Sequence, residues 1–196
     1  MVGKDFIFIV LSYLIGGICS GYYLVRARAG IDIREQGSGG VGARNVGRML
    51  GKPGFIITLL GDSLKGLLAV ALARKFEVSA PALSLVMVAV IAGHIWPPAL
   101  QFRGGRGIAT AIGAYLAYDP MIALVLLCTT AVLMVFRRGF ILSGLAAFLL
   151  LPLITHVLAF QGHVVAALAG SAAIILFAHR ERIRKVFSEA TSQREA

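Results

Sequence analysis

The sequence is poor in charged residues and in cysteine. Only 14% of its 196 residues are charged and 58% are hydrophobic, whereas about a quarter of an ordinary soluble domain is charged, so that class is excluded. The two cysteines, Cys19 and Cys128, lie in apolar segments, which predicts buried thiols and neither a disulfide nor a zinc site. Nine acidic residues form no cluster that would bind magnesium. We therefore expect no metal and no cofactor.

The sequence contains several long hydrophobic runs. A helix needs about 20 apolar residues to cross a bilayer, and most of the runs approach that length. The run 107–118 would rise only ~18 Å, which predicts a short or re-entrant helix buried among the others. We expect an all-α integral membrane protein with a single membrane domain, 1–196, and about seven transmembrane helices. The runs lie at about residues 6–25, 54–74, 81–102, 107–118, 120–136, 139–160 and 163–178.

Positive charge falls on one side of such a bundle. If seven spans alternate, fifteen of the nineteen lysines and arginines lie on the side that holds 26–53, 103–106, 137–138 and the tail from 179. Positive loops stay in the cytoplasm during insertion, so we expect the N-terminus outside and the C-terminus inside. The net charge of +10 indicates anionic lipid headgroups and phosphorylated substrates as partners, and no nucleic acid, because there is no soluble domain to bind it.

The first motif is a glycine-rich loop followed by arginines. Gly37, Gly39 and Gly42 let the backbone approach a ligand, with successive N–H groups directed at an anion. Ser38 adds a hydroxyl, and Arg44 and Arg48 are one helical turn apart if a helix begins near Val41. This pattern suits a phosphate at a helix N-terminus. The alternative is a flexible loop whose arginines contact lipid.

The second motif places charge inside a predicted span. Asp62 and Lys65 are three residues apart, so they share a helix face, and Gly66 follows. Charged residues at membrane depth are costly and usually face a polar interior. The pair either neutralises itself and holds the bundle together, or Lys65 reaches an anionic ligand.

The third motif begins at Gly93-His94 and ends in a second glycine-rich turn that carries Arg106 into the next segment. Prolines end the preceding helix, and Gly104 and Gly105 give the turn the same capacity for an anion. His94 is either a satisfied core histidine or a catalytic group. Ser143, His179 and Arg180 are weaker candidates, because a basic cluster after a final span is usually a topology anchor.

Taken in order, these motifs resemble the bacterial PlsY family of acyl-phosphate:glycerol-3-phosphate acyltransferases, small membrane enzymes with seven spans. The resemblance covers almost the whole chain. The His/Asp motif of other glycerolipid acyltransferases is missing, since no histidine has an aspartate five residues later. The matching segments are Ser12–Ile18, Gly30–Arg34, Gly37–Gly39, Gly42-Ala43 with Asn45 and Arg48, Asp62–Gly66, Gly93–Thr110 and His179–Glu181.

The resemblance implies transfer of a fatty acyl group from acyl phosphate to the 1-hydroxyl of glycerol-3-phosphate, giving lysophosphatidic acid and phosphate in phospholipid synthesis. It implies a location in a bacterial cell (inner) membrane, with a cytoplasmic active site and membrane lipids as partners. An enzyme that forms acyl phosphate is a further candidate partner, which the sequence does not identify. The candidate catalytic groups are Ser38, Arg48, Lys65, His94 and Arg106. The candidate substrate-binding residues are Gly37, Gly39, Gly42, Asn45, Gly66, Gly104, Gly105, Ser143, His179 and Arg180.

The chain departs from the family pattern at four positions. The family usually has Asn at Gly40, Thr at Arg44, Lys at Arg106 and Asn at Arg182. Such changes are also compatible with a divergent paralogue that uses another phosphorylated acceptor. Two other classes remain as alternatives: a transporter or flippase of a phosphorylated lipid or metabolite, and a homologue without turnover that binds lipid. A transporter should show internal symmetry and a site near the midplane, whereas most candidate residues here lie at a membrane boundary.

Overall fold

Apolar helices form most of the described chain. The computed structural model describes residues 2–136, 139–184, 186 and 188, so Arg137, Arg138, Lys185 and Arg194 lie outside it. Within these residues no strand occurs, and the predicted all-α fold is confirmed. Two 3-10 turns, Ile33–Glu35 and Pro98–Leu100, interrupt the loops. The helices are α1 (Val2–Gly16), α2 (Ser20–Ala29), α3 (Ala43–Lys75), α4 (Ala80–Ile95), α5 (Ile108–Tyr118), α6 (Pro120–Val135), α7 (Phe140–Val157) and α8 (Gly162–Ala178).

The first predicted span, residues 6–25, is not one continuous helix. α1 ends at Gly16 and α2 begins at Ser20. Glycine destabilises a helix by about 1 kcal/mol relative to alanine, so a chain with two successive glycines is easily interrupted here. The break leaves the carbonyl of Ile18 without a helical partner, and the ammonium group of Lys65 donates to it at 2.7 Å. The stretch Gly3–Ala29 is still long and apolar enough to cross a membrane, and the interruption within it creates a polar contact inside the bundle.

α3 begins well before the predicted start of its span at residue 54. Its first part, 43–50, is separated from the rest by Gly51, whose φ of +69° and ψ of −167° lie in a region open essentially to glycine alone. Pro53 follows and has no backbone N–H to donate. The kink sets the short segment that carries Arg44 and Arg48 at an angle to the long apolar part.

In the described part of the chain, four helical stretches have the length and composition to cross a membrane, namely Gly3–Ala29, Ala43–Lys75, Ala80–Leu100 and Phe140–Val157. Three shorter apolar helices, α5, α6 and α8, complete the bundle within the same residues. The loops gather at two ends, as alternating passes require. At one end, residues 38–40, 95–96, 102–106, 177–178 and 180–181 line a common cleft. At the other, the ammonium of Lys4 donates to the carbonyl of Glu77, and residues 118–119 and 158–161 lie together.

Small residues let the helices approach closely. A Cβ atom added at Gly16 or Gly93 would overlap the backbone of the facing helix in the α1–α4 pair. The same holds for Gly66 and Gly113 in the α3–α5 pair. Glycine at helix crossings is typical of membrane bundles, in which close backbone contact supplies the packing energy. Gly66, a candidate substrate-binding residue, is thus placed at a helix crossing and packs against the carbonyl of Thr110.

The outer face of α3 carries a leucine stripe. Leu60, Leu64, Leu68 and Leu72 are four residues apart and are all exposed, Leu60 to 62%. An apolar stripe of this length facing outward fits a lipid environment and not water. The opposite face of α3 buries Asp62 and Lys65. The same helix therefore turns leucines towards lipid and an ion pair towards the protein interior, which fits a multi-pass membrane protein.

Candidate functional site

A cleft of about 290 Å³ opens at the end of the bundle where the first and third sequence motifs meet. We call it the basic cleft. The basic cleft brings together the first glycine loop, the second glycine turn, and the end of α8 with the segment that follows it. The apolar surface of the cleft comes mainly from aromatic side chains. Its lining residues are Ser38, Gly39, Gly40, Ile95, Trp96, Phe102, Arg103, Gly104, Gly105, Arg106, Phe177, Ala178, Arg180 and Glu181.

Asn45 holds the first glycine loop in shape. Its side-chain oxygen accepts from the backbone N–H of Ser38 at 3.0 Å. Its amide nitrogen donates to the carbonyls of Gln36 at 2.8 Å and Gly40 at 3.0 Å, with a longer contact to Ile33 at 3.3 Å. The side chain is buried. Asn45 is therefore placed beneath the loop and not in the basic cleft, and it fixes the position of the exposed Ser38.

Glycine is required where this loop turns. Gly37 has a φ of +57° and Gly39 a φ of +68°, in the left-handed region that side chains disfavour. A Cβ at Gly37 would also overlap the side-chain oxygen of Asn45. Gly42, by contrast, has an extended backbone and precedes the first turn of α3. These glycines allow the backbone of the loop to turn tightly around the side-chain amide of Asn45.

The second glycine turn is attached to the end of α4. The N–H of Gly105 donates to the carbonyl of His94 at 2.9 Å, and the N–H of Gly104 donates to that of Ile95 at 3.1 Å. A Cβ at Gly105 would overlap the His94 ring, so the turn lies directly on the imidazole. Arg106 follows at once and lines the basic cleft. The position of this arginine therefore depends on the position of His94.

His94 belongs to a buried polar triad with Asp62 and Lys65. The Lys65 ammonium lies 2.7 Å from His94 Nδ1, 3.1 Å from Asp62 Oδ1 and 2.7 Å from the carbonyl of Ile18. An ammonium group has three N–H donors and no acceptor, so these three contacts use all of its hydrogen bonds. The first of the two sequence alternatives, an internal pair, fits this geometry. Lys65 has no donor left for a ligand.

Arg34 links the first loop to the third motif, a role that the sequence reasoning missed. Its guanidinium pairs with Asp32 at 2.6 Å and donates to the carbonyl of Leu100 at 2.7 Å. The side-chain hydrogen bond with Arg34 lowers the pKa of Asp32, and the same bond raises the pKa of Arg34. The only available signal was that Gly30–Arg34 belongs to the matching segments. The contact spans 66 positions, which no local pattern encodes.

We expect Arg34→Ala to weaken the link between the two loops without removing a charge from the basic cleft. The pair with Asp32 and the bond to Leu100 are partly exposed, so the loss of stability should be modest, about 1–2 kcal/mol. Thermal unfolding of Arg34→Ala and of the matched variant Arg28→Ala checks this, since Arg28 is exposed in the last turn of α2. Equal effects of both substitutions would contradict the assigned role of Arg34.

Positive charge converges on the basic cleft from three segments. Burial lowers the pKa of Arg106, and the nearby charges of Arg182, Arg44 and Arg48 lower it further, whereas Glu181 raises it. Arginine still remains fully charged near neutral pH. Four guanidinium groups held this close repel one another, and an anion between them relieves that repulsion. Arg44 and Arg48 are both exposed on the first turns of α3.

The other candidates differ in their placement. Arg180 lines the basic cleft, with its guanidinium over the Phe177 ring at 4.3 Å. His179 is buried and donates from Nδ1 to the carbonyl of Ile175 at 2.8 Å. Burial and the charges of Arg106 and Arg182 lower its pKa, against the opposing effect of the Ile175 bond. Ser143 is buried in the first turn of α7.

The fold and this site define an integral membrane protein of the helical-bundle class with a positively charged cleft at one end. A family model described as glycerol-3-phosphate acyltransferase matches residues 6–189. The chain belongs to this family, and the resemblance inferred from the motifs is confirmed.

Individual relatives are similar to this chain along nearly its full length. Glycerol-3-phosphate acyltransferase 1 of Desulfitobacterium hafniense is 45% identical, over 97% of this chain and 94% of its own. Glycerol-3-phosphate acyltransferase of Geobacter sulfurreducens is 37% identical, over 93% and 94%. Two crystal structures of PlsY (YgiH), an integral membrane glycerol 3-phosphate acyltransferase, superpose with TM-scores of 0.86 and 0.85 at 29% identity. The first is the glycerol 3-phosphate form and covers 95% of this chain and 94% of PlsY.

Proposed function

We propose that this glycerol-3-phosphate acyltransferase takes its acyl group from acyl phosphate and transfers it to the 1-hydroxyl of glycerol-3-phosphate. The products are lysophosphatidic acid and inorganic phosphate. The observation that carries the proposal is the basic cleft, in which two glycine-rich segments and several arginines face one another beside apolar aromatic side chains. Two phosphorylated substrates, one of them with a fatty chain, match this combination of positive charge and apolar surface.

The residues divide into binding and supporting roles. Arg48, Arg106 and Arg180 bind phosphate oxygens, and Ser38 donates its hydroxyl from the exposed loop. The glycines of both turns allow the substrate to approach the backbone N–H groups. Asn45, Gly66 and the buried triad hold these elements in place. His179 lies buried beside Arg180, and Ser143 lies buried in the first turn of α7.

The reaction requires little acid or base from the protein. The 1-hydroxyl oxygen of glycerol-3-phosphate forms a bond to the acyl carbon, and the bond from that carbon to the phosphate oxygen breaks. Phosphate is a good leaving group once cations stabilise its charge. The hydroxyl proton passes to a substrate phosphate. Because the hydroxyl attacks the acyl carbon directly, no covalent acyl-enzyme forms. Recovery of acylated protein after incubation with acyl phosphate alone would contradict this route.

We further propose that the basic cleft faces the cytoplasm of a bacterial cell, with seven spans and the N-terminus outside. The support is the one-sided distribution of arginine and lysine, which the positive-inside rule relates to orientation. Soluble glycerol-3-phosphate then reaches the site from the cytoplasm, and acyl phosphate arrives from the membrane. A membrane-impermeant thiol reagent applied to single-cysteine variants at Glu35 and at Gln161 tests this orientation: labelling from outside at Gln161 only is expected, and the reverse result overturns it.

One assay decides the function. Purified protein in lipid nanodiscs is incubated with palmitoyl phosphate and labelled glycerol-3-phosphate, and lysophosphatidate and released phosphate are measured. We expect both products in equal amounts, and none when palmitoyl-coenzyme A or palmitoyl-acyl carrier protein replaces the acyl phosphate. Folded protein that binds the substrates without forming product would overturn the proposal.

Arg48→Ala should suppress turnover strongly. A hydrogen bond between a guanidinium and a phosphate contributes about 1.5–3 kcal/mol, which corresponds to about a 10–150-fold loss in kcat/KM. Arg74→Ala is the matched control, because Arg74 lies at the opposite end of the bundle and donates to the carbonyl of Tyr118. His163→Ala, also at that end, should retain turnover. Similar losses in Arg48→Ala and the two controls would show that the effect is not specific to the basic cleft.

A further inference from the structure

The triad beneath the basic cleft fixes more than the position of His94. Lys65 Nζ and His94 Nδ1 are 2.7 Å apart. A charged ammonium can only donate, so His94 Nδ1 must accept and cannot carry a proton. The single proton of the neutral ring is then on Nε2. The contact with Lys65 therefore selects one tautomer of the imidazole.

The acceptors around Lys65 also stabilise its positive charge. Asp62 Oδ1 is 3.1 Å from the ammonium group and also accepts from the backbone N–H of Ser20 at 3.3 Å. The carbonyl of Ile18 provides a third acceptor. Asp62 is 2% exposed and Lys65 7% exposed, so neither group has bulk water to replace its partner. An ion pair buried in this way remains ionised only because each of its members is hydrogen-bonded.

The Nε2 side of His94 faces the second glycine turn. A Cβ atom added at Gly105 would overlap Nε2 of His94 and the two ring carbons bonded to it. Gly104 and Gly105 both line the basic cleft, and Arg106 follows them. The Nε2–H group thus lies at the floor of the turn that carries Arg106.

We propose that Lys65 is a positioning residue that locks His94 as the neutral Nε2–H tautomer, so that His94 serves the reaction as a hydrogen-bond donor beneath the Gly104-Gly105 turn and not as its general base. The proposal rests on the proposed function, since it assigns a role within that reaction. It also revises the expectation that Lys65 contacts substrate. The charged groups that act on the ring are Asp62 and Lys65 from α3, and the thiol of Cys19, before α2, contacts the carbonyl of His94. Arg106 follows the Gly104-Gly105 turn.

The tautomer can be measured without any assay of activity. Nitrogen-15 NMR of protein labelled at histidine and held in nanodiscs distinguishes protonated from unprotonated ring nitrogens, and the His94→Gln spectrum assigns the His94 signals. We expect Nε2 protonated and Nδ1 unprotonated, with no change between about pH 5.5 and 8, although a free histidine titrates near 6.5. A protonated Nδ1, or an imidazolium that forms within this range, would overturn the proposal whether or not the enzyme uses acyl phosphate.

Kinetics of matched variants test the role in the reaction. His94→Gln keeps an N–H group near the position of Nε2 and should retain kcat/KM within about tenfold, whereas His94→Asn places its amide near Nδ1 and should lose about 100-fold. Lys65→Met leaves Asp62, 3.7 Å from the ring, as the sole charged partner. The ring can then take up a proton, so turnover should fall by at least tenfold and decrease further as the pH is lowered.

Each kinetic result supports or overturns the assignment. Equal activity of His94→Gln and His94→Asn would show that a donor at Nε2 is not needed. A Lys65→Met enzyme whose pH profile matches the original would show that Lys65 does not control the protonation of His94, because a purely structural defect lowers activity without changing that profile. If the original protein has no turnover at all, the proposed function fails, while the NMR result still decides whether the tautomer is locked.

Discussion

The Gly105→Ala variant is expected to lose at least about 100-fold in kcat/KM, since displacement of a reacting group by about 1 Å can have an effect of that size. The added methyl group would overlap the His94 ring. A flexible side chain could move aside, but the His94 ring is held by Lys65 and its carbonyl accepts from Gly105 itself. The turn must therefore shift, and Arg106 shifts with it. Steady-state kinetics with varied glycerol-3-phosphate measures the loss.

Gly170→Ala is the matched control for this prediction. Gly170 lies within α8, and a Cβ there meets no atom within 4 Å. Alanine should be neutral or slightly favourable at that position, because it favours the helix by up to about 1 kcal/mol. Thermal unfolding of both variants separates misfolding from a local change. A Gly105→Ala enzyme with full activity would show that the contact between His94 and the turn does not position Arg106.

The Asn45→Ala variant is expected to lose about 100-fold or more in kcat/KM and about 2–4 kcal/mol of stability, because the N–H of Ser38 and up to three carbonyls lose their partner at once. Without that amide group, the first glycine loop no longer has a fixed shape, and Ser38 loses its position. Turnover and thermal unfolding measured in the same lipid nanodiscs check both parts.

Two comparisons make the Asn45 prediction specific. Asn45→Asp keeps the acceptor for the N–H of Ser38 but directs a carboxylate at the carbonyls of Gln36 and Gly40, so it should be no better than Asn45→Ala. Gln161→Ala should have no effect, since this exposed residue precedes α8 and makes no side-chain cap. If Asn45→Asp retained normal turnover, the amide donors would not be what holds the loop.

Local features of the chain were sufficient to predict the class of fold. Each hydrophobic run is a continuous stretch of sequence, and its own length and composition determine whether it can cross a bilayer. The glycine-rich segments with their arginines were also readable, because an anion site of this type is formed by neighbouring residues. The order of these segments identified the family, although nothing in them showed that they would line one cleft.

The placement of Lys65 illustrates what such patterns cannot provide. The spacing of Asp62 and Lys65 correctly predicted that they share a face of α3. The choice between an internal pair and a ligand contact depended on Ile18 and His94, which lie 47 and 29 positions away. The first of these acceptors exists because the helix is interrupted after Gly16, and a hydropathy plot reads that region as continuous.

The sequence by itself determined the apolar segments, the side on which positive charge accumulates, and the types of residue that we propose to bind phosphate. Each of these is a property of a residue and its close neighbours along the chain. Only the tertiary structure decided that Asn45 shapes a loop, that Lys65 has no donor left for substrate, and that His94 supports the turn carrying Arg106. Those roles depend on which hydrogen-bond donors and acceptors meet in the packed bundle. Most buried polar groups find partners there, and at these positions the partners come from distant parts of the chain.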